Sequence, residues 1–480
     1  MTRRETPTHR AAARHNGGFL AVAALVATAG LLAPAPATAT PAPAAATRPS
    51  TTTAPASART AGASSTNPHG PYTVTTDTCA TCHRAHTASG SALISDPTQT
   101  ELCVTCHNGT GSAQNVAGQY SDPSIPANDP ATASYYSHTT TVETGHTLAA
   151  SDEFTGVFNR HSVCADCHNP HEARATNASQ PNVSTPWTPS GRLTAVSGLQ
   201  VVNGPAGTPV SYAFLDGKTT ATSMTAEYQL CMKCHSGNTV LLRNAGRPPS
   251  QYALDKAVEF NPDNPSFHPV EGPGTNQTAA MGRSLTDVYG TLRRWTLSTT
   301  STIRCTNCHT GGPAVASDAS IDSDLPVHVS QFRGLLVANY QDRVLEPRNK
   351  AYTNTDFALC FTCHTERPFS QNATTNTTGF SYHRFHVAGI ETKGSGGTSI
   401  DTAGDGQGNA ICSECHFRLH STVYAVNGQT PNKRLVNFAP NVQPFNGVLN
   451  FTLLPVDGSG RGHGTCTLVC HGVEHDKKSY

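Results

Sequence analysis

The chain is poor in the residues that build an ordinary core. Aromatic residues make up 6% of its 480 positions, charged residues 13%, and tryptophan occurs twice. Only 36% is hydrophobic, while glycine (40) and proline (33) are plentiful, which argues against a layered, protein-only core of ordinary size. Methionine occurs four times, once as Met1, so thioether ligation cannot be general at a set of metal centres. No apolar run after residue 39 is long enough to cross a membrane. Basic residues are not in surplus: 32 Lys and Arg balance 32 Asp and Glu, so nothing points to nucleic acid as a partner.

What the chain does have is one phrase, repeated. It reads Cys79-Ala80-Thr81-Cys82-His83, then Cys103…Cys106-His107, Cys164…Cys167-His168 and Cys231…Cys234-His235. It returns as Cys305…Cys308-His309, Cys360…Cys363-His364 and Cys412…Cys415-His416, and closes with a wider copy, Cys466-Thr-Leu-Val-Cys470-His471. All 16 cysteines fall in these eight phrases. C-x-x-C-H is the attachment signature of c-type haem. Two thiols three residues apart share one face of a helical turn and can both form thioethers to one porphyrin. The histidine that follows then lies under the ring and supplies a nitrogen to iron.

Three other chemistries fit less well. Zinc ribbons complete a tetrahedron with four sulfurs and need no histidine after each pair. Redox dithiols occur singly beside a βαβ pattern. Disulfides within C-x-x-C loops are too short to constrain the unfolded chain much. Histidine is only 23 of 480 residues, so its place after all eight pairs is no accident of composition. The expectation is eight covalently attached haem c groups per chain.

The organisation follows. Residues 1–39 read as an export signal: Arg3, Arg4, Arg10 and Arg14 precede the apolar run 19–33, and Ala37-Thr38-Ala39 supplies the cleavage pattern. Residues 40–67, nearly all Ala, Pro, Thr and Ser, read as a disordered linker. Three haem modules follow, 68–175 with phrases 1–3, 176–345 with phrases 4–5 and 346–480 with phrases 6–8. The first two phrases start 24 residues apart, the later ones 61, 67, 74, 55, 52 and 54. The expected fold is a multihaem cytochrome c, mostly irregular loops and short α-helices wrapped around a chain of haems. Short β-hairpins are expected within 194–221 and 434–454, rich in Val, Thr, Phe and Leu. Without residues 1–39 the chain carries 28 basic against 31 acidic residues, and haem propionates make the holoprotein more acidic still.

The stretch from Cys79 through His86 to Leu102-Cys103-Val104-Thr105-Cys106-His107-Asn108-Gly109 resembles the doubled C-x-x-C-H motif of exported multihaem cytochromes. Cys164–His171, Leu230–His235 with 260–270, Ser381–Val387 and Gly464–Gly472 are similar to further units of that family. The last likeness implies that the wider eighth phrase is a variant and not a broken site. The resemblance implies haem and export; it says less about the electron partner.

Second axial ligands must come from 13 remaining histidines once His9 and His15 leave with the signal. Bis-histidine iron is low-spin and low in potential relative to His/Met ligation. His86 and His171 follow their phrase histidines by three residues, and His420 and His475 follow theirs by four. On a helical turn such pairs share a face, so the second histidine is expected to ligate a neighbouring haem and not its own. Resemblance and position add His69, His268, His328 and His386, with His146 and His161 next. His138, His383 and His463 are expected to be spare.

Iron held by two histidines offers no open position to a substrate, so the expected role is electron transfer and not enzymatic catalysis. By resemblance, the setting is extracellular electron transfer, outside the cell or at its surface, with the periplasm as the alternative. Expected partners are other redox proteins, extracellular acceptors or further copies in a head-to-tail filament. The rival is an octahaem reductase or oxidase for nitrite, hydroxylamine or a sulfur oxyanion. Nitrite-reducing relatives often carry a C-x-x-C-K phrase, and none occurs here.

Overall fold

The computed structural model describes residues 68–69, 76–112, 114–121, 136–138, 140, 162–238, 255–275, 277–286, 295–311, 326–340, 352–366, 383–388, 410–424, 429, 432–455 and 463–479. The chain divides after Gly62, and the unit Ala63–Tyr480 holds every described residue. The expected signal and linker lie outside the described residues, as do His146 and His161. Among the described residues no helix is long and apolar enough to cross a membrane.

Short helices, loops and small sheets make up the unit. Seven of the eight phrases sit on helical turns: Thr76–Cys82, Gln99–Cys106, Cys164–Cys167, Tyr228–His235, Cys305–Cys308, Ala358–Phe361 and Cys412–Cys415. Local capping explains why such short pieces hold. Thr98 Oγ1 accepts from Glu101 N (3.2 Å), and Glu101 Oε2 accepts from Thr98 N (3.1 Å). The third residue inside a phrase repeats the device: Arg304 N donates to Asn307 Oδ1 (2.7 Å) and Ile411 N to Glu414 Oε2 (3.1 Å).

The sheets are small. Strand β1 (Tyr136–Ser137) pairs antiparallel with β4 (Val329–Ser330), and β2 (Gly198–Val202) pairs with β3 (Ser211–Leu215). The β2–β3 hairpin falls inside 194–221. At the C-terminal end β5 (Asn450–Leu454), β6 (His463–Cys470) and β7 (Val473–Ser479) form an antiparallel meander. Segment 434–454 contributes β5 and, before it, a tight hairpin turn at Asn446-Gly447, across which Phe445 and Val448 exchange backbone hydrogen bonds of 2.9 Å. The eighth phrase lies on β6, extended, unlike the helical turns of the other seven.

Apolar side chains gather in four clusters in place of one core. Leu199, Val201, Met232, Phe260 and Ile303 pack with Cys305; Phe357, Phe361 and Ile411 pack with Cys360 and Cys412. Val337 and Leu359 pack with Cys308; Phe438, Val442 and Leu468 pack with Cys415, Cys466 and Cys470. Each cluster includes phrase cysteines, as a chain with so few apolar residues requires if each is spent next to an attachment point. Hydrogen bonds cross both expected module boundaries: Arg174 N to Gly191 O (2.8 Å) at the first, and Leu359 N to Asn339 O (2.9 Å) at the second.

Candidate haem-binding sites

In the helical phrases the backbone closes one turn under the histidine. His83 N donates to Cys79 O (2.9 Å), His107 N to Cys103 O (3.0 Å) and His168 N to Cys164 O (2.8 Å). His309, His364 and His416 repeat this bond to Cys305, Cys360 and Cys412 at 2.8 to 3.0 Å.

Four of these rings are aimed through Nδ1. His83 donates to Ala92 O (3.0 Å), His168 to Arg192 O (3.2 Å), His309 to Gly334 O (2.7 Å) and His416 to Leu435 O (2.9 Å). His364 Nδ1 stands 3.5 Å from Ser284 Oγ. A metal-bound histidine characteristically gives its other N–H to a carbonyl, which fixes the tautomer and leaves Nε2 for the ion. These four carbonyls come from tight turns, 91–93, 191–193, 333–335 and 433–435, each ending in leucine. Gly334 holds φ +72°, a left-handed conformation that suits glycine. The turns serve phrases 1, 3, 5 and 7. Their recurrence in the sequence was the signal that sequence reasoning missed.

Opposite these rings stand the second histidines. Ring centres are 6.1 Å apart for His83 and His171, 6.0 Å for His107 and His69, and 6.3 Å for His168 and His328. They are 6.4 Å apart for His235 and His138, 6.0 Å for His309 and His420, and 6.4 Å for His416 and His383. A bond of about 2 Å from each nitrogen to an ion between them, plus the depth of each ring, gives roughly 6 Å. These six pairs therefore fit an iron held by two imidazoles. The partners show the same aiming: His69 Nδ1 donates to Pro170 O (3.2 Å), His138 Nδ1 to Val327 O (2.7 Å), and His328 Nδ1 to Gln119 Oε1 (2.8 Å). Burial pushes the imidazoles toward the neutral, ligating form: His235 falls to about 3, and His309 and His328 to about 4.

His171 and His420 thus face histidines of other phrases, not the ones three and four residues before them. His138 and His383, expected to be spare, are paired. The reason is long-range: β1 and β4 end side by side, and His138 N donates to His328 O (3.1 Å), so one two-stranded ladder carries the second histidines of phrases 3 and 4. His86 is exposed. His268 has its Nδ1 on Leu419 O and neighbours His420 and His416. His386 faces His475 at 6.4 Å, although neither directly follows a cysteine pair.

The eighth phrase departs from the others. Three residues of strand separate Cys466 from Cys470, a Cα distance of roughly 13 Å over four residue steps against one helical turn elsewhere. His471, expected beneath a haem, occupies the turn between β6 and β7 and places Nε2 3.0 Å from Glu414 Oε2. The seven helical phrases fit haem attachment; the eighth does not fit it in the same way.

Successive phrases are neighbours in space. Burial raises the Cys82 thiol, with Cys106 beside it, and Ala165 N donates to Gln99 Oε1 (3.0 Å). The Cys167 thiol is pushed up to about 12 by burial, with Cys231 near it, and Cys231 lies beside Cys305. Burial also lifts Cys308 to about 12, beside Cys363 and Cys360, while Cys360 lies beside Cys412. Cys415, raised by burial, neighbours Cys466. From phrase 1 to phrase 8 the spatial order is the sequence order.

Residues 69–112 match the family described as the doubled CXXCH motif. Comparison with curated proteins finds no match, and neither does comparison with solved structures. The match spans the first two phrases and supports a multihaem c-type cytochrome, an electron-transfer protein with covalently bound haem c.

Proposed function

We propose that the chain is an exported octahaem cytochrome that passes electrons along its eight sites in sequence order. The observation that carries this reading is the set of six imidazole pairs at 6.0 to 6.4 Å, each including the histidine of a phrase. Bound haem supplies the one-electron couple. The protein's part is to fill both axial directions, bury the imidazoles so that they stay neutral, and hold neighbouring sites in contact. Two axial histidines at a site leave no position for a substrate, which favours carrier over enzyme.

The export signal and linker read from residues 1–67 support a setting outside the cytoplasmic membrane, in extracellular electron transfer with another redox protein or an external acceptor. Phrases 1 and 8 stand at opposite ends of the succession, so a heterologous contact between copies would join one succession to the next in a filament. Haem counting by alkaline pyridine, with electron microscopy of the same mature protein, tests both parts. Eight haems per chain and unbranched filaments are expected. A count of seven or fewer would overturn the octahaem reading, and discrete particles at all concentrations would overturn the filament.

A further inference from the structure

The C-terminal meander holds a histidine pair that the repeated phrase does not account for. His386, on the helix His383–Ala388, faces His475 of β7 with ring centres 6.4 Å apart, the spacing of the six pairs above. His475 is the cross-strand partner of Leu468, so the two share a face of the meander. Leu468 lies midway between Cys466 and Cys470, and all three belong to one apolar cluster. His475 therefore projects on the side of the sheet that bears both cysteines.

His471 is engaged by a carboxylate, although it stays within 4.8 Å of Cys470 Sγ. It sits in the β6–β7 turn at φ 50°, with its side chain 1% exposed and its Nε2 against Glu414 Oε2. Glu414 is itself fixed, accepting from Ile411 N and from Asn441 Nδ2 (2.6 Å), and its side chain is 2% exposed. The nitrogen that a phrase histidine offers to iron is here engaged by a carboxylate that is held in place from two further directions. In the six pairs above, by contrast, the aimed rings use Nδ1 and leave Nε2 facing the partner.

Resting on the reading that the Cys466/Cys470 phrase carries a haem, we propose that its iron is held by His475 and His386. His471, the histidine that follows the cysteines, is the hydrogen-bond partner of Glu414 and anchors the turn to phrase 7. Cys415, one residue beyond Glu414, lies near Cys466, so this anchor also sets the spacing between the last two sites.

The test uses the full haem-loaded chain and three variants, His475→Gln, His386→Gln and His471→Gln. Mass analysis of the peptide spanning Cys466–Cys470 first establishes whether it carries haem; a bare peptide overturns the eighth haem itself, and this ligand assignment with it. With haem present, His475→Gln and His386→Gln should each turn one haem in eight high-spin and reactive to carbon monoxide. His471→Gln should keep every haem low-spin. Should His471→Gln fail to accumulate, the other two decide alone. Unchanged spectra in both, or a carbon-monoxide-reactive haem in His471→Gln, would overturn the assignment.

Discussion

Arg304 and Glu227 form a buried ion pair between phrases 4 and 5. Arg304 Nη1 lies 3.3 Å from Glu227 Oε2, their side chains are 1% and 8% exposed, and the guanidinium sits 4.9 Å over the Trp187 ring. Thr306 Oγ1 donates to the other carboxylate oxygen at 2.8 Å. Glu227 immediately precedes the helix Tyr228–His235, and Arg304 immediately precedes Cys305. The pair thus holds two attachment turns against each other where the Cys231 and Cys305 thiols meet. Replacing Arg304 by Met leaves an unpaired buried carboxylate, at a cost of about 3 to 5 kcal/mol. A fall in the thermal midpoint of the holoprotein and weakened coupling between two haem potentials are expected; an unchanged midpoint would show that the pair positions nothing.

The second histidine of the first phrase is His171. Its ring lies 6.1 Å from His83 at an interplanar angle of 13°, while His86 is exposed. His171→Ala should therefore open the iron of the Cys79/Cys82 haem and give one high-spin signal by electron paramagnetic resonance. Loss of the His168 site instead would mean that His171 serves its own phrase.

Glu259 tunes the fifth site through His420. Its Oε2 lies 3.5 Å from His420 Nδ1, and Lys256 pairs with the same carboxylate. A carboxylate on the outer nitrogen makes an imidazole more basic and favours ferric iron. In Glu259→Gln one haem should rise in potential by about 60 mV, the equivalent of about a tenfold change in affinity for one electron. Spectroelectrochemistry reads this directly, and an unshifted set of potentials would contradict it.

Much of this was legible in the sequence, for a physical reason. The phrase encodes its own structure, because two cysteines and a histidine at that spacing need only one helical turn, closed by a bond such as His309 N to Cys305 O. The second histidines were harder. His138 reaches His235 through a ladder with residues nearly two hundred positions away, and no local pattern distinguishes it from a surface histidine. The eighth phrase misled because its composition matches the others, while its backbone follows β5 and β7 into a sheet: cross-strand pairing overrides local turn propensity.

Stability should fall between mildly acid and neutral pH through Glu271. Burial raises its carboxyl from 4.5 to about 7, against the opposing bond from Asn203 Nδ2 (2.8 Å). The folded state holds this proton more tightly than the unfolded chain does. The contribution is complete below 4.5 and is lost as pH rises through about 7. The full difference is on the order of 3 kcal/mol. Glu271→Gln should remove this slope, seen as thermal midpoints that vary less with pH across the same window; an unchanged slope would assign it to another group.

The central claim is a continuous succession of irons closed on both sides by histidine. Absorption spectra of the mature oxidised and reduced protein, with and without carbon monoxide, test it most directly. The account predicts low-spin spectra throughout and no carbon monoxide difference signal. A carbon-monoxide-reactive haem in the unmodified protein would contradict it and place an open, substrate-accessible iron in the chain.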